Sequence, residues 1–469
     1  MGDPKCTRPR CLATLIVVAV TSVFLCYYFL KVDLVSVMSE KVTNFDRSKY
    51  LIPKDAYDER VSIAVNTAPK FTYVAPNYTY VAPNYTYVAP ENLTETLKRI
   101  ASMHKVPSVN CHALFKDSQR DIEYARNKTK NITSPISDLA YLSLTADCRA
   151  FVTSRGYILS PLTKEEEDFP LAFSILTFKD VEMVERLLKA IYRPQNYYCI
   201  HVDKKSPDSF YQSVASIAKC FPNVFIASRR IDVQWGWFSV LEPELECMKE
   251  LWRYPKWKYF FTLTGQEFPL KTNFELVKIL TVYDGANDIE GTIKRANKER
   301  FRTAPPLGIT PIKGSVHITV NRDFVGYILF NKTAEALLEW AKNNVSIPDE
   351  TYFATLNHNP QLGVRGAYKG VPETDEDGKP FLTRFKNWGS YKCSGGQYVR
   401  SICILTLGDL PLLGKVKHYF ANKFYLSEDR VVIGCLEEKI FNDTRDEYLG
   451  VKTFDTSYYA NLSFVKNKV

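Results

Sequence analysis

An α/β fold with a mostly parallel sheet is what this sequence predicts, and three observations predict it. The first is residues 170–206, where two β-rich apolar runs, 170–178 and 197–203, flank Val184, Leu187, Leu188 and Ile191 at helical spacing. Arg193-Pro194 stops that helix, because a residue preceding proline is pushed out of the helical region. The second is the continuation of the same alternation. Asn223–Ser228 reads as a strand, Leu241, Leu245, Met248 and Trp252 as one helical face, and Tyr259–Thr264 as a further strand closed by Gly265. The third is its persistence past Val320, with a helix expected over Thr333–Lys342. Strands alternating with helices imply a parallel sheet covered on both faces.

The second strand of residues 170–206 ends in His201 and Asp203. Open α/β sheets bind ligands beyond the carboxyl ends of their strands, so this polar cluster predicts a nucleotide site. No Gly-x-Gly-x-x-Gly joins strand to helix, which disfavours a dinucleotide fold. A carboxylate at a strand end suits a nucleotide-sugar enzyme better.

The N-terminal part predicts a membrane topology. Cys11–Leu30 is a 20-residue uncharged apolar run, long enough to cross a bilayer. Lys5, Arg8 and Arg10 precede it, which keeps residues 1–10 cytosolic and sends the rest to the lumen. A cleaved signal peptide is the alternative, but it usually has a shorter apolar region and a small-residue cleavage site, and no such site stands out here. Residues 31–110 read as a lumenal stem. Thr-Tyr-Val-Ala-Pro-Asn-Tyr starts at Thr72 and again at Thr79 and recurs in part from Thr86, too short a period for a packed solenoid. The globular body is expected over 111–440, and residues 441–469 form a C-terminal tail of unassigned structure.

Cysteines and sequons agree with a lumenal body. Cys6, Cys11 and Cys26 lie in or beside the anchor. Cys111, Cys148, Cys199, Cys220, Cys247, Cys393, Cys403 and Cys435 remain, an even set that suits disulfides in an oxidising compartment. Spacing alone does not choose among their 105 pairings. A zinc site is disfavoured, since no Cys-x-x-Cys occurs and the six histidines are scattered. Asn-x-Ser/Thr sequons occur at Asn77, Asn84, Asn92, Asn127, Asn131, Asn331, Asn344, Asn442 and Asn461, all beyond the anchor. The net charge of +9 is modest for 469 residues. It fits an acidic ligand or merely scattered solvated lysines. No basic stripe with interleaved aromatics suggests nucleic acid.

Three residue sets could carry chemistry. Glu350 closes Ser-Ile-Pro-Asp-Glu and opens a helical-looking Thr-Tyr-Phe-Ala-Thr-Leu. A helix N-terminus stabilises a carboxylate anion, which suits a general base, although an ordinary cap by Ser346 or Asp349 explains the same pattern. Arg400 and Lys423 are lone cations in apolar, aromatic surroundings. Cations so placed need anionic partners, which a diphosphate or a structural carboxylate would supply. Asp375-Glu376-Asp377 spells Asp-x-Asp, a pattern that holds Mn²⁺ in many nucleotide-sugar enzymes. It lies in the turn-rich Pro-Glu-Thr-Asp-Glu-Asp-Gly-Lys-Pro rather than at a strand end, and reads as a solvated loop.

Several blocks together carry a family resemblance. They are Leu187-Leu188-Lys189-Ala190-Ile191-Tyr192-Arg193-Pro194-Gln195-Asn196, Cys199-Ile200-His201-Val202-Asp203 and Phe268-Pro269-Leu270-Lys271-Thr272-Asn273. Phe324-Val325-Gly326-Tyr327, Pro348-Asp349-Glu350 and Phe420-Ala421-Asn422-Lys423-Phe424 complete the set. From about Cys111 to Cys435 the chain resembles the core-2/I-branching β-1,6-N-acetylglucosaminyltransferases, glycosyltransferase family 14, nearest the mucin-type core-2 branching enzymes. The resemblance implies a GT-A-type nucleotide-sugar transferase fold in a single-pass type II protein of the Golgi membrane, with its catalytic domain in the lumen. It implies an inverting transfer without cofactor or divalent metal, the UDP-sugar being a co-substrate. The implied donor is UDP-GlcNAc, or UDP-Glc, and the acceptor is Galβ1-3GalNAc, the core-1 O-glycan of glycoproteins. Assembly is left open, a homodimer being one reading.

Residue by residue, the resemblance makes Glu350 the base, Arg400 and Lys423 the cations on the diphosphate, and His201 and Asp203 part of the nucleoside pocket. Glu290, Lys298 and Arg300 match an acceptor-contacting segment, with the arginine displaced by one position. Trp388 matches an acceptor-stacking tryptophan, and Tyr391 stands for its companion tyrosine. Gln266-Glu267 replaces an aspartate usual before Phe-Pro, and Thr264 replaces an additional free cysteine. The implied disulfides are Cys111–Cys435, Cys148–Cys220, Cys199–Cys247 and Cys393–Cys403. A peptide O-xylosyltransferase, from a longer distant branch, and a glycan-binding protein without catalysis are the competing readings.

Overall fold

The structure is a computed structural model that describes residues 92–129 and 136–469. The expected cytosolic tail and anchor, residues 31–91 of the expected stem, and the sequons at Asn77, Asn84 and Asn131 lie outside the described residues. Among the described residues no helix is long and apolar enough to cross a membrane.

One six-stranded sheet organises the body. Its strands are β1 (Leu171–Thr177), β2 (Tyr197–Val202), β3 (Val224–Ile226), β4 (Tyr259–Thr264), β6 (Asp288–Ile289) and β7 (Ile318–Asn321). Their order is β3-β2-β1-β4-β7-β6. β1 pairs in parallel with β2 and β4, and β2 with β3, while β7 runs antiparallel to β4 and β6. The mostly parallel sheet expected from the sequence is therefore present. Its apolar strands alternate faces, as the period of two requires. Phe173, Ile175, Tyr198, Ile200, Phe261 and Leu263 join one core cluster. Ala172, Tyr197, Cys199 and Phe260 join the other.

Helices cover both faces. Val181–Ile191, Asp208–Lys219 and Asn273–Tyr283 give buried residues to the first cluster. Glu242–Trp252, Arg322–Phe330, Lys332–Asn344 and Tyr352–Asn357 give theirs to the second. The helix before Arg193-Pro194 ends at Ile191, and Tyr192 is already extended. The strand expected over Asn223–Ser228 is shorter, and the helix expected over Thr333–Lys342 is longer at both ends. A separate two-stranded ladder pairs β5 (Glu267–Pro269) with β10 (Phe420–Asn422), and beneath it lies the long helix Arg430–Tyr448.

Both expected ends of the body move outward. Helix Leu93–Met103 lies in the segment read as stem, yet Leu97 and Ile100 pack against Ile158 and Phe441. Its cap is Asn92, whose side chain accepts the Glu95 N–H at 3.1 Å. The boundary at 440 falls inside the helix Arg430–Tyr448, and Tyr459, Leu462, Phe464 and Val465 of the expected tail are buried in the first cluster. Polar residues between these apolar anchors hid the packing in the sequence. The four bonds Cys111–Cys435, Cys148–Cys220, Cys199–Cys247 and Cys393–Cys403 are all formed. Of the described sequons, Asn92, Asn127 and Asn461 are exposed, and Asn331, Asn344 and Asn442 are partly buried.

Candidate active site

The carboxyl ends of β1, β2 and β4 open into a cavity of about 1510 Å³. Leu176 and Thr177 come from β1, His201 and Asp203 from β2, and Thr264, Gly265 and Gln266 from β4. Close approach demands the glycine: a Cβ on Gly265 would sit 2.6 Å from the Thr177 hydroxyl oxygen.

Glu350 reaches this cavity from a tight turn. Pro348–Glu350 forms one 3₁₀ turn ahead of the short helix Tyr352–Asn357, and the Glu350 carbonyl accepts the Gly314 N–H at 2.7 Å. Arg300 is brought alongside by backbone pairing. The Ser346 N–H donates to the Arg300 carbonyl at 2.8 Å, and Phe301 bridges Val345. An Arg300 guanidinium N–H then donates to Glu350 Oε2 at 2.6 Å, and the Lys313 ammonium lies 3.8 Å from the same oxygen. Oε1 accepts no hydrogen bond from the described residues and is open to an incoming hydroxyl. The neighbouring Asp349 is buried, and burial, followed by the Glu350 charge, pushes its pKa up to about 7.

Lys423 and Arg400 arrive on different supports. Lys423 follows β10, whose Asn422 pairs with Glu267 and donates to its Oε1 at 3.1 Å. Glu267 is buried and also meets Arg384 at 3.0 Å. Arg400 sits at the tip of a hairpin between β8 (Tyr398–Val399) and β9 (Ile402–Cys403), held at its base by Cys393–Cys403. Burial lowers the Lys423 pKa, and the Arg400 charge lowers it further. Two cations that repel each other at a cavity wall create a positive potential there, which favours an anion.

At the β2 end, Asp203 accepts the Lys205 N–H at 2.9 Å. The Lys205 ammonium also meets Asp232 at 2.6 Å, fastening the loop that carries Trp235. Trp235 is 62% exposed, and its ring lies 5.6 Å from the Arg400 guanidinium. His201 is buried, and its Nε2 accepts the Ile231 N–H at 3.0 Å. Burial pushes its pKa down to about 4, so the ring is neutral and serves to fix that loop.

The cavity thus gathers Glu350, Arg400, Lys423, His201, Asp203, Glu290, Arg300, Trp388 and Tyr391. Lys298 does not belong with them. It is exposed and contributes nothing to the lining, because the turn Lys298–Arg300 directs Arg300, two residues on, toward Glu350. Sequence reasoning also missed Lys205, Trp235, Lys313 and Lys386, all of which line the cavity. No motif marks them, and only the three-dimensional convergence of distant loops reveals them. Asp375 touches the rim, where its Oδ1 accepts the Asp377 N–H at 3.0 Å and that of Gly378, as a turn-capping aspartate does. Among the described residues no group of three or more His, Cys, Asp or Glu side chains is arranged to hold a metal ion.

Comparison with known proteins adds identity to this geometry. Residues 171–413 match the family model described as Core-2/I-Branching enzyme. The chain is 38% identical over 329 residues to a human β-1,3-galactosyl-O-glycosyl-glycoprotein β-1,6-N-acetylglucosaminyltransferase, covering 64% of this chain and 76% of the relative. It is 35% identical over 364 residues to the rat enzyme numbered 3 of the same name, covering 71% and 82%. A namesake from Bovine herpesvirus 4 (strain LVR140) is 33% identical over 362 residues, again covering 71% and 82%. On these matches and this site, the chain belongs to the Core-2/I-branching enzyme family.

Proposed function

We propose that this protein is an inverting β-1,6-N-acetylglucosaminyltransferase that branches core-1 O-glycans, Galβ1-3GalNAc, from UDP-GlcNAc. The observation that carries this reading is the convergence in one cavity of a carboxylate, Glu350, with one open oxygen, and a cation pair, Arg400 and Lys423. The names of the relatives support the acceptor and the linkage.

The chemistry follows from the groups. Glu350 Oε1 accepts the proton of the acceptor 6-hydroxyl as that oxygen attacks the anomeric carbon. The bond from that carbon to the diphosphate oxygen breaks, and its electron pair leaves with UDP. One displacement from the opposite face turns an α-linked donor into a β-linked product. Arg300 holds the carboxylate through Oε2, so geometry rather than diffusion sets the attack. Charge grows on UDP during the step, and cations already in place stabilise it without reorganisation. Arg400 supplies a planar fork and Lys423 a point charge. The metal-independent reading rests on this pair, and a type II Golgi location rests on the apolar run Cys11–Leu30 and its flanking charges.

The test is a donor-by-acceptor matrix with the full chain in EDTA, scored by linkage analysis. Transfer of GlcNAc to the 6-position of GalNAc is expected. Loss of all transfer on chelation would reject the metal-free step, and transfer only from UDP-Glc or only to serine would reject the donor or the acceptor.

A further inference from the structure

Lys386 is a cation that the fold leaves without a counterpart. It is partly buried and lines the cavity two residues before Trp388, with its ammonium 5.8 Å from the centre of that indole ring. Among the described residues its ammonium has neither an ion pair nor a hydrogen bond. Lys313, by contrast, is already taken up by Glu350 and by the Gly314 carbonyl, 3.4 Å away. A cation withdrawn from water without a partner is costly, so a chain that keeps one there needs something else to meet it.

Its electrical neighbours say which part of the cavity it faces. The charges of Glu267, Glu290, Arg384 and Glu350 act on Lys386, and its own charge acts on Asp349 and His317. Glu267 acts on Lys423 as well, but Lys423 otherwise answers to Arg400 and Lys179, whereas Lys386 answers to Glu290 and Glu350 and lies beside Trp388, the acceptor side of the site in the functional reading. Of the two cations assigned to the acceptor segment by resemblance, moreover, Arg300 is engaged by Glu350 and Lys298 does not line the cavity. We infer that Lys386 is an acceptor-binding residue, donating a charge-assisted hydrogen bond to a hydroxyl or carbonyl oxygen of the acceptor sugar while Trp388 covers the ring's apolar face. This rests on the functional reading above and supplies the contact that Lys298 does not make.

Burial lowers the Lys386 pKa to about 8, so its charge is lost just above neutrality. The groups facing it from neighbouring elements are Glu267, Glu290, Glu350, Arg384, Asp349 and His317. Of these, burial pushes Asp349 up to about 7, raises Glu267 and lowers His317.

Lys386→Met and Lys386→Arg in the full chain decide the matter. In Lys386→Met the acceptor KM should rise about ten- to a hundredfold, the usual cost of a lost charge-assisted hydrogen bond. UDP affinity and donor KM should stay within about twofold, and Tm should not fall, because an unpaired cation has been removed. Lys386→Arg should recover most of the acceptor affinity and hold acceptor KM flat from pH 7 to 9, where the wild type climbs. An unchanged acceptor KM in Lys386→Met, or a loss that falls on UDP instead, would overturn the assignment. A lowered Tm without rescue by arginine would do the same. If the wild type transfers to no acceptor, the functional reading fails. Titration of Galβ1-3GalNAc by saturation-transfer NMR then judges Lys386 alone: binding that Lys386→Met abolishes supports it, and no binding overturns it.

Discussion

Glu350 and Asp349 are adjacent carboxylates with opposite surroundings, and the difference supports Glu350 rather than Asp349 as the proposed base. Glu350 is anchored by Arg300 and keeps Oε1 open, whereas Asp349 is buried with its Oδ1 unpartnered. Glu350→Gln preserves shape but accepts no proton, so kcat should fall about 10²- to 10⁴-fold with UDP affinity unchanged. Turnover that survives in Glu350→Gln and collapses in Asp349→Asn would reassign the base. Asp349 also predicts a pH effect on stability. Its folded pKa of about 7 lies above its unfolded value near 3.8, so the folded state holds the proton more tightly. Its contribution is complete below the unfolded value and is lost as pH rises toward 7. Asp349→Asn removes this penalty, on the order of a few kcal/mol. Its melting temperature should therefore gain on the wild type more at pH 7.5 than at pH 4.5. Equal shifts at both pH values would mean that Asp349 is ionised throughout.

The hairpin that carries Arg400 shows where legibility ended at the scale of elements. Val399 pairs with Ile402, and the two residues between them, Arg400 and Ser401, have φ of 51° and 63°. Positive φ at both central positions is the requirement of a type I′ turn, normally met by Asn-Gly. Val-Arg-Ser-Ile carries no such signal, so the element was invisible in the sequence, although Arg400 itself was picked out as a lone cation in an apolar context. Left-handed backbone at non-glycine residues is strain kept where position matters. Ser401→Gly should release part of it, raising stability by about 1 kcal/mol and Tm by ~2 °C, with UDP affinity unchanged. A lower Tm in calorimetry would show that the serine side chain contributes more than its backbone costs. The strands β1, β2 and β4, by contrast, were read directly, because long apolar runs with β-branched and aromatic residues leave little choice. The blocks that carried the resemblance are largely scaffold. Asn196 accepts the Leu171 N–H at 2.9 Å, Thr272 caps Asn273–Tyr283 in a capping box, and Phe268-Pro269 forms the ladder that positions Lys423. They identify the fold more directly than they identify the proposed acceptor pocket, whose lining comes from short loops without periodicity.

On the scale of the whole molecule, the segments before 111 and after 440 belong to the folded body unequally, and truncation should separate them. The C-terminal residues are woven into the body. Tyr459 donates to the Lys417 carbonyl at 2.9 Å, Phe464 meets Tyr283 edge-on at 5.2 Å, and the Val469 N–H donates to the Ala367 carbonyl at 2.8 Å. Tyr459, Leu462, Phe464 and Val465 are each less than 8% exposed. Burial of four such side chains is worth roughly 6–12 kcal/mol as an upper bound, comparable with the whole stability of a domain. Ending the chain at Lys452 should therefore yield protein that is insoluble or unfolded. Starting it at Cys111 removes Leu97 and Ile100 and uncovers Phe441, roughly half that burial, while the Cys111–Cys435 bond still closes the body. That fragment should fold with a Tm lowered by several degrees and retain UDP binding, since no residue before Leu176 lines the cavity. Lys415 and Lys417 do line it, and the Tyr459 contact ties their loop to the core. A soluble, cooperatively melting chain ending at Lys452 that still binds UDP would show that the C-terminal weave is dispensable, and with it this account of how the loop is held.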